Sequence, residues 1–166
     1  MLTEHKTKTE QYFVDENGAK QGECNTYYHG GQLRSHAFCI NDKFHGERIL
    51  YYETGSIWIE SFCHFGILHG EYNEYNGNGQ LWDRSFLQNG KLHGERILYR
   101  EDGRLWEHSC HINGVFHGEY KFYGDDGEIV RATFFYQGKD LNINPDTLSE
   151  QDKVYIMMSG RLPSRD

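Results

Sequence analysis

A glycine recurs every 24 residues along most of this chain, at Gly22, Gly46, Gly70, Gly94 and Gly118, with no insertion to break the period. A fixed period of this length signals one supersecondary unit repeated, each copy burying apolar surface against the next. The same register aligns Glu23, Glu47, Glu71, Glu95 and Glu119, then Tyr27, Tyr51, Tyr75, Tyr99 and Tyr123. It also aligns a second glycine set, Gly31, Gly55, Gly79, Gly103 and Gly127, and an aliphatic column, Leu33, Ile57, Leu81, Leu105 and Ile129. In the three central units the aliphatic residue is followed by Trp58, Trp82 and Trp106. Agreement across so many columns is not a product of composition.

Each unit reads as two strands. The first runs from the glutamate past the tyrosine, as in "ERILYR", to a loop such as "EDG", where glycine accepts positive φ. The second runs through "LWEHSCHI" or "LWDRSFLQ" and ends at Asn-Gly, as at Asn89-Gly90 and Asn113-Gly114, the strongest short hairpin signal. Aromatic residues make up 15% of the chain, and both prolines, Pro145 and Pro163, lie late in it, so the preceding region is free to pair as an uninterrupted sheet. The expectation is an all-β fold, an elongated single-layer antiparallel meander of about ten or eleven strands spaced roughly 4.8 Å apart. It occupies residues 11–140 as about 5.5 units, behind an N-terminal arm at 1–10. Residues 141–166 read as a tail, in which Thr147 and Glu150 form a capping-box pattern before a helix at about 148–158 that Gly160 stops. The final "RLPSRD" is expected to be disordered.

"DGRLWE" followed by "NGVFHGE", and "NGQLWD" followed by "NGKLHGE", resemble the MORN repeat in its variant form, with "HGE" in place of "HGxG". The likeness covers about residues 11–140. This unit is one residue longer than the usual repeat, and glutamate replaces the second glycine. Similar variants occur in bacterial antitoxin-type proteins and in proteins of large amoeba viruses. The resemblance implies the repeat fold far more firmly than an activity.

His45, His69, His93 and His117 form a column two positions before the glutamates. Equivalent residues in adjacent units lie two strands apart, roughly 9–10 Å, too far to share a zinc ion. A single pair such as His93 with Glu95 is the enzyme alternative, but a catalytic constellation occurs once and this pair recurs. The repeated role reads as structural, a hydrogen bond or a stack beside a turn, with no catalytic residue, metal or cofactor. Acidic tips such as Asp125–Gly127 are ordinary turn chemistry and lack the spaced ligands of an EF-hand. Net charge is -8, from 17 basic and 25 acidic residues, which argues against nucleic acid or anionic lipid as partner. A membrane-lipid tether would need Arg48, Arg84, Arg96 and Arg100 to converge in the fold. With no apolar h-region or spanning run, the reading is cytoplasmic, or host cytoplasm for a viral protein. The four cysteines, Cys24, Cys39, Cys63 and Cys110, accordingly read as free thiols.

Strand alternation places Trp58 with Phe62, and Trp82 with Phe86, on one face, and the Leu/Ile column with Ser61, Ser85 and Ser109 on the other. A single layer cannot bury both, so an aromatic stripe of Trp58, Phe62, Trp82, Phe86 and Trp106 is the candidate interaction surface. Leu148, Tyr155 and Met158 on the helix either cap the array or dock a partner. The function that follows is a non-catalytic scaffolding or interaction module, as a homodimer or with an unidentified protein, an antitoxin-like neutraliser being one alternative.

Overall fold

The computed structural model describes residues 1–163. Among them the strands are β1 (Thr3–Lys6), β2 (Glu10–Val14), β3 (Lys20–Tyr27), β4 (Leu33–Ile40), β5 (Lys43–Tyr51), β6 (Ile57–His64) and β7 (Ile67–Tyr75). There follow β8 (Leu81–Gln88), β9 (Lys91–Tyr99), β10 (Leu105–Ile112), β11 (Val115–Tyr123), β12 (Ile129–Tyr136) and β13 (Lys139–Asp140). A 3-10 turn (Pro145–Thr147) and the helix α1 (Glu150–Ser159) follow them. Strand order in the sheet is chain order, so the antiparallel meander of consecutive hairpins is the observed fold. The chain forms two compact units, Met1–Gly90 with β1 to β8 and the remainder from Lys91 with β9 to β13 and α1.

The turns follow from the residues. At Asn89-Gly90 and Asn113-Gly114 both positions have positive φ (52° and 76°, 53° and 83°), the conformation of the tight hairpin turn that matches strand twist. The repeat glycine, by contrast, lies inside a strand rather than ahead of it. β5, β7, β9 and β11 each begin three residues before their "HGE" glycine. In the hairpin of β4 and β5, Ala37 pairs with Arg48 but Cys39 pairs with Phe44, so Gly46 sits in a β-bulge. Gly70 repeats this with φ 114°, and a Cβ there would come 3.3 Å from the Cβ of Phe62. The glycine thus supplies both the bulge conformation and the room for the neighbouring phenylalanine.

A one-layer sheet buries its centre by placing small residues between large ones. Ser61 pairs with Arg48 on one side and Tyr72 on the other, and Ser109 pairs with Arg96 and Tyr120. Ala37, Ser61, Ser85, Ser109 and Thr133 are all buried, beneath the long side chains of adjacent strands.

Cys24 and Cys39 form a disulfide, with Cα atoms 6.1 Å apart, which corrects the free-thiol expectation for these two. Comparing equivalent columns, such as Cys39 with Cys63, measures a two-strand gap. Cys24 and Cys39 belong to different columns and meet diagonally across one hairpin, since Cys24 pairs with Ala37 and Gly22 with Cys39. Cys63 and Cys110 remain thiols.

The tail is held by side chains. The capping box of α1 is Ser149 with Asp152, not Thr147 with Glu150: the Asp152 N–H donates to Ser149 Oγ at 3.1 Å, and the Ser149 N–H donates back to the Asp152 carboxylate. Thr147 instead donates its hydroxyl to the Asn144 carbonyl within the preceding 3-10 turn. Gly160 ends the helix in the left-handed region, its N–H bonded to the Ile156 carbonyl, and lies so close to the Tyr136 ring that a Cβ would collide with it. Residues 164–166, inside the segment expected to be disordered, lie outside the described residues.

Candidate interaction surfaces

A second bulge, in the alternate hairpins that join β5 to β6 and β7 to β8, decides which aromatics share a face. Tyr51 pairs with Ile57 but Leu50 pairs with Ile59, so Trp58 is the extra residue. An extra residue interrupts alternation, and both bulged positions turn toward the same side. Trp58 Nε1 donates to Glu74 at 3.2 Å, and the Tyr72 hydroxyl donates to the same carboxylate at 3.0 Å. Tyr72 is the cross-strand partner of Ser61, so Trp58 lies on the serine face. Phe62, next to Ser61, points the other way. This corrects the expectation that Trp58 shares a face with Phe62, and Trp82 with Phe86. Trp82 occupies the corresponding bulge, between the Leu81–Tyr75 and Asp83–Glu74 pairs. In the second unit Trp106 stands at the same bulge, with its ring 6.3 Å from Phe122 and the Arg100 guanidinium 5.9 Å over it. Strict period-2 counting missed the shift, and Trp does not mark it, because Arg34 and Val130 are the extra residues at the same bulge in the outer hairpins.

In Met1–Gly90 the serine face therefore carries Tyr12, Phe44, Arg48, Leu50, Trp58 and Tyr72. Phe44, Arg48, Leu50 and Trp58 line a shallow groove with Thr26, Tyr28 and Ser35, and the Arg48 guanidinium lies 5.1 Å over the Phe44 ring. The opposite face carries the tyrosine column joined to the Leu/Ile column, since Tyr51 pairs with Ile57 and Tyr75 with Leu81. This corrects the expectation that the Leu/Ile column shares the serine face. Tyr27 donates to Gln11 and Tyr75 to Glu60, both at 2.8 Å. Burial first, and then the bond to Glu60, push the Tyr75 hydroxyl up to about 12.

The same face holds a row that the single-column reading did not assemble. Glu23 pairs with Phe38, Glu47 with Phe62 and Glu71 with Phe86 across three successive hairpins. The three phenylalanines are 49%, 52% and 42% exposed, and the three glutamates are exposed too. Among the described residues no cation pairs with any of these glutamates.

In the second unit the equivalent pairs are Glu95 with Cys110 and Glu119 with Phe134. Glu119 accepts ion pairs from Lys153 of α1 at 2.7 Å and from Lys121 at 3.7 Å, and its bond to Lys153 is the first cause of that lysine's raised pKa. Phe134 is 1% exposed, and Ile156, one turn after Lys153, is 0% exposed. The helix therefore lies on this face through Lys153 and Ile156, while its Tyr155 and Met158 are exposed. Leu148, expected on the helix, instead ends the 3-10 turn before it and is half-buried.

The histidines serve turns and packing. His45 lies 4.6 Å from the ring of the turn residue Phe65 and 5.2 Å from His64. His117 accepts the Gln137 N–H at Nδ1, which leaves Nε2 to donate to the Met157 carbonyl at 3.0 Å. The Glu95 carboxylate approaches His108 at 3.6 Å rather than His93. Arg48 and Arg84 stand on opposite faces, since Arg48 pairs with Ser61 and Arg84 with Asn73, the residue after Tyr72. Burial, with Glu95 nearby, pushes the Cys110 thiol up to about 11, which suppresses thiolate chemistry at neutral pH. No helix among the described residues is long and apolar enough to cross a membrane.

Residues 44–62, which run from Phe44 in β5 to Phe62 in β6, match the family model described as MORN repeat variant. The match supports a MORN repeat protein, and MORN repeats are generally associated with protein or membrane interaction. No curated protein matches the chain.

Proposed function

We propose that this MORN repeat protein is a non-catalytic interaction module that binds other protein chains through the faces of its sheet. The observation that carries the reading is the Glu–Phe row of Met1–Gly90, where three large aromatics stay about half exposed at regular spacing. Scattered exposed apolar residues are ordinary, whereas an ordered row of them marks a contact surface. Each prominent residue belongs to a repeated column, while catalysis needs different groups converging at one place. A cytoplasmic setting belongs to the proposal, although the Cys24–Cys39 bond is of a kind favoured in oxidising compartments.

Affinity capture from the native cell tests the reading. Wild-type chain is expected to retain a protein that Phe62→Ala and Phe86→Ala lose, and capture unchanged by both substitutions would remove the row from the account. Homodimer formation is a second reading, favoured by the exposed edges of Phe44 and Trp58 on the other face, where two copies could bury the same patch on each. Light scattering across a concentration series is expected to show a dimer that Trp58→Ala dissociates. A monomer at every concentration would dismiss it.

A further inference from the structure

The second unit shows how this sheet face is satisfied when something covers it. There Glu119 and Phe134 are cross-strand partners, and α1 brings Lys153 onto the carboxylate at 2.7 Å. Ile156, three residues later on the same side of the helix, loses all its exposure, as Phe134 loses nearly all of its own. The helix is further anchored by the His117–Met157 hydrogen bond. The fold thus satisfies one Glu–Phe pair with a lysine of the helix on the carboxylate and with an apolar cover to which the buried Ile156 of α1 and the buried Pro145 of the 3-10 turn that packs on β12 belong.

The first unit repeats that pair three times and covers none of them. We infer that the row of Glu23, Phe38, Glu47, Phe62, Glu71 and Phe86 is a docking surface for an amphipathic helix of a partner protein. That helix presents Lys or Arg and, three residues on, Ile or Leu. The inference rests on the interaction-module reading above and names its occupant. Charge selects the sign, because three exposed carboxylates without a partner favour a basic segment and oppose a second acidic one. Spacing selects the form, because a helix repeats one face every seven residues, about 10.5 Å, close to the roughly 9–10 Å between successive pairs across two strands. One helix of about twenty residues laid across the strands would reach all three pairs.

The probe is a fluorescein-labelled, side-chain-stapled helix of three Lys-x-x-Ile heptads, titrated into the full chain and read by anisotropy. Binding is expected, with Phe62→Ser and Glu47→Lys each weakening it at least about tenfold. A Glu-x-x-Ile peptide is expected to bind the wild type poorly and to regain affinity for Glu47→Lys. Both substitutions lie at exposed positions, and Glu47→Gln, expected to weaken binding by less, separates lost attraction from added repulsion. Equal binding of the two peptides, or no binding of either, would overturn the inference. So would a dimer that Phe62→Ser converts to monomer, since the occupant would then be a second copy. If the peptide fails while Phe62→Ala still abolishes capture of a cellular protein, the interaction reading stands and this inference alone falls.

Discussion

The same sheet face appears twice in this molecule in two conditions. Under the 3-10 turn and α1, Glu119 is ion-paired and half-buried and its partner Phe134 is buried, whereas in Met1–Gly90 three pairs of the same residue types stand bare. Column, register and bulge pattern are shared, so the difference comes from what lies on top. Repeat symmetry fixes the face, and the departure from symmetry at the C-terminal end supplies its cover. An aromatic on this face is therefore structural where it is covered and available for binding where it is not.

The largest expected effect separates those two roles. Phe134→Ala should cost about 3–5 kcal/mol of stability, as for a phenylalanine removed from a closed core, while Phe62→Ala, half exposed, should stay within about 1 kcal/mol. Urea melts of the two variants check this, and equal costs would erase the distinction. Next in size is the staple that only the first unit has. Reducing Cys24–Cys39, which closes a separation of 15 residues, should cost about 3 kcal/mol on the chain-entropy scale. Calorimetry with and without reductant reads it, and the Cys24→Ser variant should be indifferent to reductant.

A smaller loss is expected at the cover itself. Ser149→Ala removes the cap of α1 and should cost about 1 kcal/mol, with Phe134 becoming more accessible and Phe62 unchanged. Smallest is a pH effect confined to the first unit. Tyr75 holds its proton to about 12 when folded against 10.0 for the free group, so the folded state binds more protons between those values. Its contribution is intact below about pH 10 and is lost as pH rises toward 12. Tyr75→Phe should flatten that part of the stability profile, and an unchanged slope would mean that Tyr75 does not carry it.

Much of this was legible in the repeat. Period, hairpin turns, tyrosine and aliphatic columns and the helix stop at Gly160 all follow from residue types at fixed spacing. The facing of Trp58 was not, because a bulge adds one residue and reverses alternation, and nothing in period-2 counting registers it. The Glu–Phe row also escaped column reading, because its members come from two columns that meet only once strand register is known. The disulfide escaped for the same reason, Cys24 and Cys39 being neighbours across a hairpin rather than along the repeat. Ser149 displaced Thr147 as the cap because the turn at Pro145 uses Thr147 first.

Hydroxyl-radical footprinting read phenylalanine by phenylalanine tests the central contrast most directly. The account predicts rapid oxidation of Phe38, Phe62 and Phe86, protection of Phe134, and selective exposure of Phe134 when Ser149→Ala or Lys153→Glu loosens the helix. Adding the Lys-x-x-Ile helix should then protect Phe62 and Phe86. Comparable oxidation of Phe62 and Phe134 in the intact chain would contradict it.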